Sequence, residues 1–448
     1  MNPMFDVAVI GGGVVGCAVA RLLSLHDCSV VLLEAGADIG AGTSKANTAI
    51  LHTGFDATPG TLESRLVARG YELLSAYAPT VGVSIEKVGA VLVAWTDEQA
   101  QALPSLITKA QSNGYNRANI IDSNTVYDLE PHLGPGVVAG LVVPDEHIID
   151  PWSTPIAFAT EAVANGAVIK RNFLVSQVQV GAEYTELRTD DGQMILARYV
   201  INAAGLYGDE VHRQFGFDGF TIVPRRGELI VFDKFARSLV KRTILPVPTA
   251  HTKGVLVAPT VFGNVMLGPT ADNIDDKRAT GSTKAGIAAL IDKGRRIFPG
   301  LMNEEVTAVY AGLRAATEHN DYQLSSDAAA RYVCLGGIRS TGLTSSMALA
   351  EETMTFLSAC DFMPKRSDEV AKITLIPLGE IDDRPYQSGG RIVCHCERVT
   401  AAEIAAAVTS SVPAVSFDGL RRRTRATAGR CQGFYCTAEI CSLTGLQL

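Results

Sequence analysis

The stretch FDVAVIGGGVVGCAVARLLSLHDCSVVLLEAGA, residues 5–37, leaves little freedom in how this chain begins to fold. Val7 to Ile10 is a short apolar run of the kind that forms a buried parallel strand. Gly11, Gly13 and Gly16 follow in G-x-G-x-x-G spacing, a helical pattern runs from Val14 to about Leu25, and a second apolar strand, Val30 to Leu33, ends at Glu34. In such a unit Gly11 permits the tight turn, Gly13 lets backbone approach a pyrophosphate, and Gly16 lets helix and strand pack closely. The helix start offers N–H groups to the phosphates, and Glu34 is placed to accept hydrogen bonds from a ribose.

After Glu34 the chain does not enter a second simple βαβ unit. It runs into GADIGAGTSKANTAILHTGFDATPGTLESRLVARG, rich in Gly, Thr, Ser and Asn, which suits a loop wrapped around a large cofactor. ARYVINAAGLYGDEV supplies another apolar strand, Tyr199 to Asn202, ending in Ala-Ala-Gly, and RYVCLGGIRSTGLTSSMALAEE reads as strand, glycine-rich loop and helix start. Three glycine-bearing strand ends far apart in sequence point to one extended ligand gripped from several sides, and FAD fits this better than NAD. The residues expected to bind it are Gly11, Gly13, Val14, Val15, Gly16 and Glu34, then Thr43, Ser44, Lys45 and Asn47, then Val175, Ala204 and Gly205, and finally Gly342, Leu343 and Thr344.

At 448 residues the chain is too long for one core and calls for two or three domains. A formal charge of −8 argues against a nucleic-acid partner. The one basic run, Arg421 to Arg425, reads as a solvated face, at most one that docks an acidic partner. Residues 7–20 are apolar but lack a basic leader and are too short to span a bilayer, so the chain reads as cytoplasmic, with peripheral association at the inner face of a membrane left open.

These motifs, in this order, resemble the D-amino-acid-oxidase superfamily of flavoproteins, and within it the FAD-dependent glycerol-3-phosphate dehydrogenases, with L-2-hydroxyglutarate oxidases as near relatives. The stretches that carry the resemblance are GTSKANTAILHTGFDATPGTLESRL, PTAHTKGVLVAPTVFGNVMLGPTADNIDD, AGLRAATE and GGIRSTGLTSS. The resemblance implies an α/β fold in which a Rossmann-like FAD-binding domain (about 1–85, 145–215 and 330–365) interleaves with an α+β substrate domain (about 86–144 and 216–329). It also implies the reaction class: a hydride leaves a carbon bearing a hydroxyl and passes to the flavin N5, while the protein takes the hydroxyl proton and anchors the substrate's anion.

Histidine suits the proton step. His52, in AILHTG, lies in the loop that the resemblance puts beside the isoalloxazine ring, as base or as substrate orienter, and His251, in PTAHTKG, is the second candidate. Arginine suits the anion because its planar fork holds phosphate or carboxylate bidentately. Arg314, in AGLRAATE, resembles the substrate-binding arginine of glycerol-3-phosphate dehydrogenases; Arg339, in GGIRSTG, either binds substrate or stabilises charge on the reduced ring, and either arginine could instead form an internal ion pair. The larger respiratory dehydrogenases carry a lysine in that last loop and the 2-hydroxyglutarate oxidases a serine-proline-rich version. Arg339 follows neither pattern, which leaves glycerol-3-phosphate, a longer polyol phosphate and a 2-hydroxy dicarboxylate all open.

Beyond about residue 365 the texture changes to a charged, Pro- and Gly-bearing linker (366–390), followed by a small domain over 391–448 that holds five of the nine cysteines. Cys394 and Cys396 form C-x-C; Cys431 and Cys436 form C-x4-C; between them TAAEIAAAV reads as a helix with Thr400 as N-cap and Glu403 at the capping-box position. Four thiolates in two close pairs supply what a [2Fe–2S] cluster requires and also what a structural zinc requires, although neither pair has the usual C-x2-C spacing of zinc sites. The pattern resembles the bacterioferritin-associated-ferredoxin type of [2Fe–2S] domain. A cluster behind the flavin would carry electrons singly to a partner protein or quinone. The reading is therefore an FAD- and [2Fe–2S]-dependent dehydrogenase of glycerol-3-phosphate or a similar polyol phosphate. An L-2-hydroxyglutarate (or other 2-hydroxy acid) dehydrogenase or oxidase is the runner-up, and a non-catalytic redox-sensing or electron-carrying module is the reading from another class.

Overall fold

The computed structural model describes residues 4–248, 254–379 and 390–447. Two large sheets organise it. In the first, Met4–Ile10 lies between Met194–Asn202 and Val30–Leu33, parallel to both. Val168–Lys170 extends the sheet on one side and the antiparallel pair Gln177–Val180 and Thr185–Arg188 on the other. Tyr332–Gly336 joins parallel to Met194–Asn202, and Gln323–Asp327 pairs antiparallel with it. The central strands are buried on both faces, which is why they read as uninterrupted Val/Ile/Leu runs rather than alternating ones. Helices Val14–Ser24, Ser153–Ala164 and Gly342–Ala359 cover one face, and Leu23, Phe158 and Leu357 are among the residues of that core.

Among the described residues the second sheet has nine strands, and its spine is the long antiparallel pair Ile222–Phe232 and Val306–Thr317, in register from Ile222↔Thr317 to Val231↔Ala308. Leu256–Pro259 and Val265–Gly268, the two short strands expected from GVLVAPT and NVMLGPT, pair antiparallel within it. A three-stranded sheet, Ile50–Leu51, His147–Ile149 and Ile85–Glu86, stands apart from both.

Residues 366–379 do not hang loose: Ser367 N–H donates to Leu25 O, Leu375 N–H to Val81 O, and Leu378 is buried against Val261 and Phe262. From residue 390 a hairpin (Ile392–Cys394, Val399–Thr400) and three short helices (Ala401–Thr409, Phe417–Thr424, Thr437–Thr444) enclose a small core around Val399, Ile404, Leu420 and Ile440. Thr400 and Glu403 form the expected capping box.

The basic run is not the solvated face its composition suggested. Arg422 and Arg425 are buried, and so is the side chain of Arg423. Their partners are acids of the same chain. Arg422 Nη2 and Arg423 Nη1 each donate to Asp38 Oδ2 at 2.7 Å, and Arg423 Nη2 to Asp38 Oδ1 at 2.8 Å. Arg425 Nε and Lys234 Nζ reach Glu397 Oε2 at 3.1 and 3.0 Å. The Arg425 guanidinium also lies 4.1 Å over the Phe262 ring, which stacks on Trp152. Among the described residues no helix is long and apolar enough to cross a membrane.

Candidate active site

At the carboxyl ends of the parallel strands the glycine-rich turn opens a cleft. Gly11 has φ +107°, and a Cβ there would overlap the Ala203 carbonyl; one on Gly16 would overlap the Gly11 carbonyl. Strand, turn and helix can come this close only with bare backbone. Helix Val14–Ser24 starts at Gly13 with no side-chain cap from Gly13 and no acidic residue in its first turn, so its N-terminal positive end faces the cleft. Ser44 Oγ accepts the Val14 N–H at 2.9 Å.

Glu34 ends the second strand with its carboxylate taking N–H groups from Gly12 (2.7 Å) and Gly36 (2.6 Å). Burial pushes this carboxyl above its ordinary range even though both amides pull it down. The loop after it is fastened on two sides: Thr43 Oγ1 donates to Leu313 O, Tyr310 OH donates to Asn47 O, and Gly312 leaves room for the backbone of Ala46. The second sheet thus closes over the first through residues 43–47.

Of the residues expected at the cofactor, Gly13, Val14, Val15, Thr43, Ser44, Asn47, Gly205, Gly342 and Leu343 line this cleft, and so does Arg339. Gly11, Gly16 and Ala204 sit directly beneath it as packing. Three others are elsewhere. Val175 is buried in the apolar cluster on the opposite face of the first sheet, among Leu187 and Ile195. Lys45 turns outward and pairs with Asp418 at 3.0 Å, because the C-terminal unit stands next to the loop. Thr344 is fully buried behind the cleft, its Oγ1 accepting the His52 N–H at 3.0 Å.

His52 therefore stands behind the start of helix Gly342–Ala359. Its Nδ1 lies 2.6 Å from Oε1 of Glu146, whose other oxygen accepts from Thr53 N–H (2.8 Å) and Thr53 Oγ1 (2.9 Å). The strand register explains how residues 94 apart meet: Ile50 is opposite Ile148 and Leu51 opposite His147, so the next pair along is His52 with Glu146. Sequence reasoning missed Glu146; only that antiparallel pairing could have found it. His251 lies outside the described residues.

Arg314 points from strand Val306–Thr317 over Gly227, where a Cβ would come within 2.7 Å of its Nη2. It shares a strand face with Gly312, against which Ala46 of the cofactor loop rests. Arg314 Nη1 makes one long contact, 3.4 Å, to Thr270 O, and among the described residues it forms no ion pair. Burial, with Arg225 directly opposite in register, pulls its guanidinium down to about 10. Arg339 differs: its Nη2 donates to Asn320 O at 2.6 Å and approaches Glu63 Oε2 at 3.4 Å, so it is partly neutralised inside the protein.

The four cysteines expected as ligands come together as two pairs, Cys394 with Cys436 and Cys396 with Cys431. The N–H groups of Tyr435, Gly433 and Phe434 point at the Cys431 sulfur and, with the Cys396 thiol, outweigh burial to hold it below its ordinary value. Among the described residues no three His, Cys, Asp or Glu side chains are grouped to hold a single ion. Two thiol pairs match a two-iron cluster, in which each iron takes two cysteines, better than one tetrahedral zinc.

Residues 6–355 match the FAD dependent oxidoreductase family, and residues 392–443, which include all four of these cysteines, match the BFD-like [2Fe-2S] binding domain. A glycerol 3-phosphate dehydrogenase of Caloramator mitchellensis is 33% identical over 463 residues, covering 99% of this chain and 95% of that protein. A mitochondrial L-2-hydroxyglutarate dehydrogenase of Bos taurus is 29% identical over 283 residues, 60% of this chain and 61% of that protein. A solved structure of L-alpha-glycerophosphate oxidase from Mycoplasma pneumoniae, dithionite-reduced and with FAD bound, superposes with a TM-score of 0.79 at 29% identity, over 83% of this chain and 99% of that one.

Proposed function

This chain belongs to the FAD-dependent oxidoreductase family and carries a [2Fe–2S] binding domain, and from that premise we propose that it oxidises the secondary alcohol of sn-glycerol-3-phosphate or a related polyol phosphate. Membership of an oxidoreductase family sets aside the silent-module reading, and the BFD-like match sets aside zinc. When bound, FAD accepts the hydride and the cluster passes electrons on one at a time.

The observation that carries the substrate reading is the pair Arg314 and Arg225. A half-buried guanidinium with no carboxylate beside it among the described residues, opposite the exposed Arg225 in register, is a site that lacks its counter-charge. A phosphate monoester brings up to two negative charges to one point and matches the planar forks bidentately. Gly227 gives Arg314 its seat, and the cofactor loop at Ala46 closes the other side. His52 takes the hydroxyl proton at Nε2, the ring nitrogen remote from Glu146. Arg339 fixes the glycine-rich loop through Asn320 and Glu63 and presents its remaining N–H groups to the cleft. The Gly13–Val15 helix start, Ser44 and Asn47 would hold the phosphates of FAD, and Glu34 its ribose. Cys394, Cys396, Cys431 and Cys436 would hold the cluster, which would supply single electrons to a partner protein or to a quinone at a membrane surface.

The 2-hydroxy acid reading retains support from the Bos taurus relative, since Arg314 alone could hold a carboxylate. An anaerobic visible spectrum separates the two. Flavin bands with iron–sulfur absorbance, bleached by sn-glycerol-3-phosphate and not by L-2-hydroxyglutarate, are expected. Bleaching by the hydroxy acid alone would replace this reading with the other.

A further inference from the structure

We infer that Glu146 is a positioning residue for the oxidation: it fixes the tautomer of His52 that places the proton on Nδ1 and leaves Nε2 to accept. The inference rests on the reading of His52 as the base and deepens it.

The carboxylate of Glu146 is fully buried, and among the described residues no lysine or arginine is paired with it. Its two oxygens are divided between two tasks. Oε2 accepts two donors from one residue, the Thr53 N–H and hydroxyl. Oε1 has His52 Nδ1 at 2.6 Å, and a buried acceptor at that distance requires a proton between them. Nδ1 therefore donates. The backbone that carries the ring is fixed, because the His52 N–H is held by Thr344 Oγ1 and the strand before it is paired with His147–Ile149, and the contact to Glu146 sets the ring's orientation on that backbone. One short sheet thus sets both the place and the protonation of the ring.

The step this serves balances as follows. The carbinol O–H bond breaks and its proton passes to Nε2; the hydride on the same carbon leaves for FAD; the carbon becomes a ketone. The imidazolium so formed carries its new charge next to the Glu146 carboxylate, which favours the charged ring.

Glu146→Gln tests this with almost no change of shape. The Thr53 N–H can only donate, so the amide must place its oxygen there and its NH2 group against Nδ1. Nδ1 then has to accept, the ring proton moves to Nε2, and the base is blocked. In E146Q holoenzyme, anaerobic stopped-flow should show flavin reduction by sn-glycerol-3-phosphate slowed about 10²–10⁴-fold, the share that a positioned base contributes. FAD content and the substrate concentration at half-saturation should stay close to wild type. The ¹⁵N spectrum of histidine-labelled protein, with the His52 signals identified by their loss in H52N, should change from the Nδ1–H to the Nε2–H pattern. A wild-type reduction rate in E146Q, or an unchanged tautomer, would overturn the inference while leaving His52 as base. A wild-type rate in H52N would overturn both.

Discussion

Arginines drawn into the protein, fully at one place and partly at the other, occur in two regions, and their surroundings are opposite. Where residues 390–447 meet the rest of the chain, Arg422 and Arg423 converge on Asp38, and Arg425 on Glu397. On the second sheet, Arg314 has Arg225 opposite it and no carboxylate among the described residues. Burying a charge is costly unless it is paired and hydrogen-bonded. The first region meets that cost within the fold and is a fastening. The second leaves it unmet within the described residues, as the anion site proposed above requires. Counting buried charges would not separate the two; asking where each counter-charge comes from does.

The contrast can be broken first at Arg314. Truncating one partner of a buried charge pair costs about 2–5 kcal/mol, so Arg314→Met should lower kcat/KM for sn-glycerol-3-phosphate by about 30- to 4,000-fold. Because the native protein carries that cation unpaired, the melting temperature should hold or rise. A fall in Tm with kcat/KM intact would make Arg314 a fastening like the others. The converse variant is Asp38→Ala, which strands two guanidinium groups at once. Breaking a buried pair typically costs about 3–5 kcal/mol. Limited proteolysis should then release the segment beyond residue 390, while the rate at which substrate bleaches the flavin stays near wild type. Retained protection would mean that the arginines hold nothing.

A smaller effect sharpens the comparison with a third kind of partner. Glu130 is buried and takes the backbone N–H groups of Lys241 and Arg242, and burial lifts its carboxyl to about 7. Backbone dipoles alone do not compensate it as a cation would. In the unfolded chain the group titrates near its ordinary value of 4.5, so from there up to about 7 the folded state holds a proton the unfolded state has lost. Stability from this group is complete below the lower value and falls as pH rises through the upper one. Urea midpoints between pH 4.5 and 8 should therefore decline less in Glu130→Gln than in wild type. A steeper decline in the variant would reverse the sign.

What could be read from order along the chain follows the same division. The Gly11–Gly16 turn and the Thr400 capping box are local devices, each complete within a few residues, and their spacing announces them; the C-x-C and C-x4-C spacings announce the thiols but not that Cys394 meets Cys436 and Cys396 meets Cys431. Glu146 and Asp38 announce nothing, because each acquires meaning from a residue 94 or 384 positions away. The same blindness misplaced Lys45, whose neighbours in sequence face the cleft while its own ammonium finds Asp418. Arg421 to Arg425 misled for a related reason: a run of like charge looks solvated until the acids that neutralise it are brought in by the fold. Val175 sat near a strand end and looked available, yet its side chain belongs to the core under the first sheet.

The fastening at Asp38 also has a consequence in time. A ribosome adding about 5–20 residues per second takes about 20–80 s to travel the 384 positions between Asp38 and Arg422. Throughout that interval Asp38, in the loop after strand Val30–Leu33, lacks the two guanidinium groups that close over it in the finished protein and has Arg171, 3.9 Å away, as a more distant cationic neighbour. Only a chain translated past residue 423 can supply those two groups. A nascent chain that stalls earlier is left with a solvated acid where the finished protein has a dry joint.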